Sequence, residues 1–249
     1  MILFFALGTV LGSFYNVVGY RLPKGESIVY PSSHCPNCKH KLKPWELIPI
    51  LSFVIQLGKC NVCKQKISYF YPIFELLGGV LFLLSYQIFG LSWELLMVLT
   101  FISMMLIIVV SDFHYLIIPD SIIISTVIIL LIEIFFINGP TDAFWAFING
   151  MIAFTVMFLI KLFGDFLFKK ESMGGGDIKL MFIFGLVLGW PIALLAIFLA
   201  SLIGLPISLI IMLKKNTHIV PFGPYLCLAG VILLLLQADV ELLLNLMTK

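Results

Sequence analysis

The sequence predicts an all-α polytopic membrane protein: about eight transmembrane helices with a cytoplasmic zinc-binding loop of four cysteines. Three observations carry this expectation: composition, a series of long apolar spans, and a one-sided distribution of lysine and arginine. Hydrophobic residues make up 61% of the chain and charged residues only 11%, with a mean hydropathy of +1.15. A soluble domain holds about 45–50% apolar and about 25% charged residues. A water-soluble chain this apolar could not cover its surface, so the solvent is a bilayer. The net charge of +2 gives no reason to expect a nucleic-acid partner.

A membrane-crossing helix needs roughly 20 apolar residues. Eight segments approach that pattern: Ile2–Gly19, Tyr71–Phe89, Trp93–Ser111, Ile117–Ile137, Ala143–Phe163, Ile178–Gly189, Pro191–Leu213 and Pro224–Leu246. The first is expected to remain in the mature chain. It lacks a basic leading region and a small-residue cleavage site, and it runs into Arg21. Alternating the spans puts every lysine and arginine except Lys249 on one side. The positive-inside rule makes that side cytoplasmic and places both termini outside a plasma or inner membrane. The expected organisation is a first helix (1–20), a cytoplasmic zinc-binding loop (21–70) and a seven-helix membrane core (71–249).

The loop holds Cys35-Pro-Asn-Cys38 and Cys60-Asn-Val-Cys63, separated by 21 residues. Two such pairs supply four thiolates to a tetrahedral zinc ion. The cytosol keeps thiols reduced, which disfavours two disulfides, and Lys59 and Lys64 favour thiolates. A four-cysteine site leaves no open position for substrate, so this zinc organises the loop and takes no part in catalysis. His34 and His40 read as solvated loop residues. Cys227, alone in an apolar stretch, reads as a small buried hydrophobe.

Ionisable groups near hydrocarbon are costly and usually functional. Asp112 ends the third span and Asp177 opens the sixth, so topology puts both at the cytoplasmic face. The sixth span is short for a bilayer of about 30 Å. Either the bilayer thins there, or the run Gly174-Gly175-Gly176 before Asp177 enters the membrane, where its backbone could pair closely with an extended substrate. Two neighbouring carboxylates do not both ionise easily and share a proton. Peptide hydrolysis requires that state: one carboxylate deprotonates water while the other serves the carbonyl oxygen. Taken singly, Asp112 and Asp177 also suit helix caps, as Asp120 does. Asp165 and Glu171 read as solvated. Glu133 and Glu75 fall inside spans, Glu75 near the cytoplasmic end.

These residues together resemble the bacterial type IV prepilin peptidases, which share the Gly-x-Gly-Asp aspartyl motif with archaeal preflagellin peptidases and presenilin. The resemblance runs over nearly the whole chain. It includes Gly12-Ser13-Phe14-Tyr15-Asn16 with Arg21-Leu22-Pro23, both cysteine pairs, Ile48-Pro49-Ile50-Leu51-Ser52, and Tyr71-Pro72-Ile73-Phe74-Glu75. It continues with Asp112 to Asp120, Met173-Gly174-Gly175-Gly176-Asp177-Ile178-Lys179, and Pro221-Phe222-Gly223-Pro224. The resemblance implies that Asp112 and Asp177 are the catalytic pair and that Gly174, Gly175, Gly176 and Lys179 form the active-site loop. It implies Cys35, Cys38, Cys60 and Cys63 as the zinc ligands. It further implies cleavage after a glycine at the cytoplasmic edge of an apolar substrate helix, with prepilins or pseudopilins as substrates in the lipid bilayer. Members with the cysteine loop often also N-methylate the new N-terminus, using S-adenosylmethionine. A transporter and a zinc-loop scaffold are the competing classes. A transporter would place its ionisable groups at the midplane, and a scaffold has no use for an aspartate pair.

Overall fold

Inside hydrocarbon, backbone N–H and C=O groups must be satisfied within the chain, and a run of apolar residues achieves this as a helix. The structure, a computed structural model, describes residues 1–171, 173–215 and 221–238. Nine α-helices form among the described residues: α1 (Ile2–Arg21), α2 (Leu51–Ile55), α3 (Phe70–Phe89), α4 (Trp93–Tyr115), α5 (Asp120–Asn138), α6 (Pro140–Phe168), α7 (Gly175–Leu188), α8 (Trp190–Lys215) and α9 (Gly223–Leu235). The only strand-like pairing among them is two isolated bridges in the cysteine loop. Six helices (α1, α3, α4, α5, α6 and α8) are long and apolar enough to cross a membrane. Each of the eight expected spans corresponds to one helix, and α2 is an extra turn inside the loop. The far part of the eighth expected span, with Lys249, lies outside the described residues.

Two compact units divide the chain, Met1–Leu91 and Ser92–Lys249. In the first, α1 and α3 pack antiparallel. Apolar side chains gain nothing by leaving lipid for a helix partner, so membrane helices associate where small residues let their backbones close in. Gly8 and Gly78 do this here: a Cβ on either would meet the other's carbonyl oxygen. One turn on, a Cβ at Gly12 would stand 3.2 Å from the Glu75 Cα. Stacked rings mark the two ends of the pair, Phe4 on Tyr86 and Tyr20 on Tyr71.

In the second unit, Ser92 caps α4 by accepting the Leu95 N–H at 3.1 Å. Helices α5 and α6 are joined through Gly139, and α7 and α8 through Gly189. At these turns φ is +98° and +79°, a region that favours residues without a Cβ. The core centres on α4 and α7, where Phe101, Ile102, Ile108, Leu180, Met181, Ile183 and Phe184 are fully buried. Helix α7 has 14 residues, about 21 Å at 1.5 Å per residue. It packs against α5, α6, α8 and α9, so protein surrounds it where a lipid-facing helix would have to be longer. The α6–α7 contact is again built on small residues, with a Cβ at Gly185 falling 2.7 Å from the Ala153 Cβ.

Candidate functional sites: a carboxylate pair and a four-thiol cluster

Helix α4 runs on to Tyr115, one turn past the expected end, because Leu116 adopts a left-handed conformation (φ +56°) and its N–H closes on the Asp112 carbonyl. Asp112 therefore lies within the last turn of a helix. Asp112 is 7% exposed. Asp177, 8% exposed, is the third residue of α7. The alternative reading of Asp177 as a helix cap is not what the structure shows: the cap position is Gly174, and no side chain bonds there. Asp112 lies close enough to Asp177 to act on it electrostatically. The start of α9 closes the site from another side. The Gly223 N–H faces the Asp112 carboxylate, and a Cβ on Gly223 would lie 2.5 Å from Asp112 Oδ2. Cys227, one turn further along α9, is buried within the field of both aspartates.

The glycine run differs from its expectation in backbone. None of Gly174, Gly175 and Gly176 has positive φ, and the last two are already helical. Only Gly176 is sterically required, since a Cβ there would stand 2.9 Å from that of Ile118. Lys179 Nζ donates to Asp120 Oδ1 at 2.6 Å, so Asp120 makes an ion pair where a cap was expected. That pair edges a cavity of about 300 Å³ lined by Ile123, Ile124, Met151, Phe154 and Phe182. Neither Asp112 nor Asp177 lines it. Glu133 accepts from Thr100 at 2.8 Å, which ties α5 to α4 far along the helix from Asp120.

In the first unit, Cys35, Cys38, Cys60 and Cys63 come together with all sulfurs within 4.8 Å of one another. Cys35–Cys63 is 3.7 Å and Cys38–Cys60 is 3.9 Å. A tetrahedral ion with Zn–S bonds of about 2.3 Å requires S···S edges of about 3.8 Å. All four are free thiols. The two knuckles repeat one local design: the N–H groups of Lys39 and Lys64 donate to the carbonyls of Cys35 and Cys60, and both lysines have φ +59°. The Gln65 N–H and the Asn37 side chain lower the Cys63 thiol to about 6. Cys35 is also lowered, by the N–H groups of Cys38 and Asn37. The His40 N–H lowers Cys38, but burial and the three neighbouring sulfurs outweigh it and raise that thiol to about 11. Four thiols this close resist joint ionisation unless a cation sits among them.

Glu46 joins the two knuckles. It accepts from the Lys43 N–H at 2.8 Å, from His40 Nε2 at 3.1 Å and from Asn61 Nδ2 at 2.7 Å. His40 is thus a structural partner, where a solvated residue was expected. The roles of Glu46 and Gly223 were not read from the sequence. Glu46, three residues after Lys43 and two after Pro44, carried a capping-box signal. Gly223, between an aromatic residue and a proline at the start of an apolar run, carried a close-approach signal.

Residues 6–89 match the bacterial peptidase A24 N-terminal domain, and residues 99–209 match the type IV leader peptidase family. A prepilin leader peptidase/N-methyltransferase of Bacillus subtilis is 38% identical over 246 residues, spanning 94% of this chain and 93% of its own length. The protein of the same name from Pseudomonas aeruginosa is 33% identical over 260 residues, spanning 92% and 88%. An Escherichia coli protein described as a type 4 prepilin-like proteins leader peptide-processing enzyme is 30% identical, spanning 93% and 92%. No solved structure matches the chain significantly.

Proposed function

Because the chain belongs to the type IV leader peptidase family, we propose that it is a bifunctional membrane enzyme. It cleaves the leader of prepilin-like substrates through Asp112 and Asp177, and it N-methylates the new N-terminus. The observation that carries the hydrolytic half is the burial of two interacting carboxylates within an apolar helical unit. One aspartate takes a proton from water as the oxygen attacks the scissile carbonyl carbon. The other gives its proton to the carbonyl oxygen. Collapse of the tetrahedral intermediate breaks the C–N bond and passes a proton to the leaving amine. The pair titrates as a unit, so the acid and base roles belong to it jointly. The Gly223 N–H fixes the Asp112 carboxylate, and Gly174, Gly175, Gly176 and Lys179 border the substrate's approach.

Both aspartates lie at the cytoplasmic face, and the substrate is an apolar helix whose short basic leader protrudes there. Cys35, Cys38, Cys60 and Cys63 would hold the zinc; two of their edges, 3.7 and 3.9 Å, match a tetrahedral thiolate site. S-adenosylmethionine supplies the methyl group. The test is to mix purified protein with a panel of prepilins and pseudopilins and follow loss of the leader and gain of a methyl by mass. Leader loss without added methyl would remove the second activity, and no processing of any panel member would remove both.

A further inference from the structure

Glu75 is a buried carboxylate that hydrolysis does not use. It lies in the second turn of α3 and is 9% exposed. Its Oε2 accepts the Ile50 N–H at 2.7 Å, and the Ser13 hydroxyl of α1 interacts with it as well. Among the described residues no lysine, arginine or histidine pairs with it. A carboxylate offers about four acceptor positions, so capacity remains. One helical step from Ser13 on α1 is Asn16, 2% exposed, with neither its amide nitrogen nor its amide oxygen bonded to anything. A buried amide without partners is costly. Such a group calls for an explanation, and a polar ligand that completes it is one. The Gly12–Glu75 contact holds the two helices at close range at this level.

A buried anion and an orphaned amide oxygen together suit a cationic hydrogen-bond donor with several N–H groups. We infer that Glu75 and Asn16 form a binding site for the free α-amino group of a processed substrate. The inference rests on the methylation reading above. A processed substrate carries its new ammonium at the cytoplasmic edge of its apolar helix, which is the depth where α1 ends and α3 begins. The ammonium donates to the Glu75 carboxylate and to the Asn16 carbonyl oxygen. Methylation requires a free lone pair on that nitrogen, so one ammonium proton passes to Glu75. The lone pair then forms the N–C bond as the methyl carbon's bond to sulfur breaks, with those electrons remaining on the donor's sulfur. The methylated amine leaves as a cation, and Glu75 returns its proton to water.

The role can be separated from simple anchoring of Ile50, since Gln at position 75 still accepts the Ile50 N–H but carries no charge. The full-length protein in lipid nanodiscs, without methyl donor, is titrated with a synthetic processed pilin helix bearing either a free or an acetylated α-amine. Wild type is expected to bind the free amine at least tenfold more tightly. Glu75→Gln and Asn16→Leu should each reduce that preference to less than threefold. Asn16→Leu replaces the orphaned amide with an apolar group of similar size, so it should fold at least as well as wild type. Indifference of wild type to acetylation, or retention of the preference in Asn16→Leu, overturns the assignment. If Glu75→Gln loses zinc and leader cleavage together with the preference, Glu75 is a latch for the loop and the assignment also falls. The binding measurement uses an already processed peptide, so failure of wild type to cleave a prepilin would refute the peptidase reading separately.

Discussion

The two units solve opposite problems with ionisable groups. In the first, sulfur and carboxylate ligands sit in a polar loop and are organised by neighbours close in sequence: Cys35 with Lys39 and His40, Cys60 with Lys64 and Gln65, Glu46 with Lys43. In the second, two carboxylates far apart in sequence are brought together inside apolar helices, and what organises them is the fit of α4, α7 and α9. A site made of local turns is robust to changes in helix packing. A site made by helix packing fails when one atom is added in the wrong place.

The largest expected effect tests the second unit. Asp112→Asn and Asp177→Asn each keep side-chain shape and remove the ionisable proton. Each should lower prepilin cleavage by about a thousandfold. The double variant should be no worse, since the pair acts as a unit. Zinc content should stay at one per chain in all three, which would show that the two sites are independent. Near wild-type cleavage by either single variant would end the aspartyl mechanism.

Gly223→Ala comes next. The added Cβ would be 2.5 Å from Asp112 Oδ2, so either the carboxylate or α9 must shift. A displacement of about 1 Å costs on the order of a hundredfold in rate. Substrate affinity, measured with an uncleavable prepilin, should change far less than the cleavage rate. Equal loss of both would mean that α9 had come away from the unit.

Loss of the thiol cluster tests the other side of the comparison. Cys35→Ser with Cys60→Ser should abolish bound zinc and make the loop sensitive to protease. Methylation should fall further than cleavage, measured on the same substrate sample. Cleavage lost while a pre-cleaved substrate is still methylated would reverse the assignment of the loop.

A smaller effect follows from pH. The Lys43 N–H, with the Asn61 and His40 side chains, holds the Glu46 carboxyl below its ordinary 4.5. A carboxyl depressed in the folded state contributes stability that is complete above the unfolded value. That contribution is lost as pH falls through the folded value. The contribution of Glu46 to protease protection of the zinc-free loop, read as the difference between wild type and Glu46→Gln, should therefore be steady above about pH 4.5 and shrink below it. Glu46→Gln should be weaker at neutral pH and flatter across that window. The smallest effect belongs to Lys179–Asp120, whose side chains are 45% and 62% exposed. Breaking the pair should change stability by less than about 1 kcal/mol, and less still at high salt. Any loss of cleavage by Lys179→Ala beyond that would measure contact with substrate.

The same contrast explains what was legible in the sequence. Two Cys-x-x-Cys pairs announce four clustered thiols because each knuckle is a few residues long. Apolar spans announce helices, and even the brevity of α7 was visible. The pairing of Asp112 with Asp177 required topology as well as residue type. The place of Gly223 against Asp112 depends on how α9 meets α4, and nothing within either segment encodes that. The glycines at 174–176 show the converse. Their composition pointed to an irregular backbone, but a helix forms from Gly175, and packing against Ile118 is what excludes a side chain at 176.

The glycine contacts between α1 and α3 also bear on how readily a metal is captured. An unrestrained loop must surrender chain entropy before distant cysteines can meet, and that cost grows with the logarithm of the loop's length. Here the two ends of the loop emerge from helices clamped together where Gly8 meets Gly78 and Gly12 meets Glu75. The loop is closed before any ion arrives, so the four sulfurs search a small volume. Part of the affinity for the metal is therefore set within the bilayer, by residues that never approach it. A bulky side chain at Gly8 or Gly78 should weaken metal retention from many residues away.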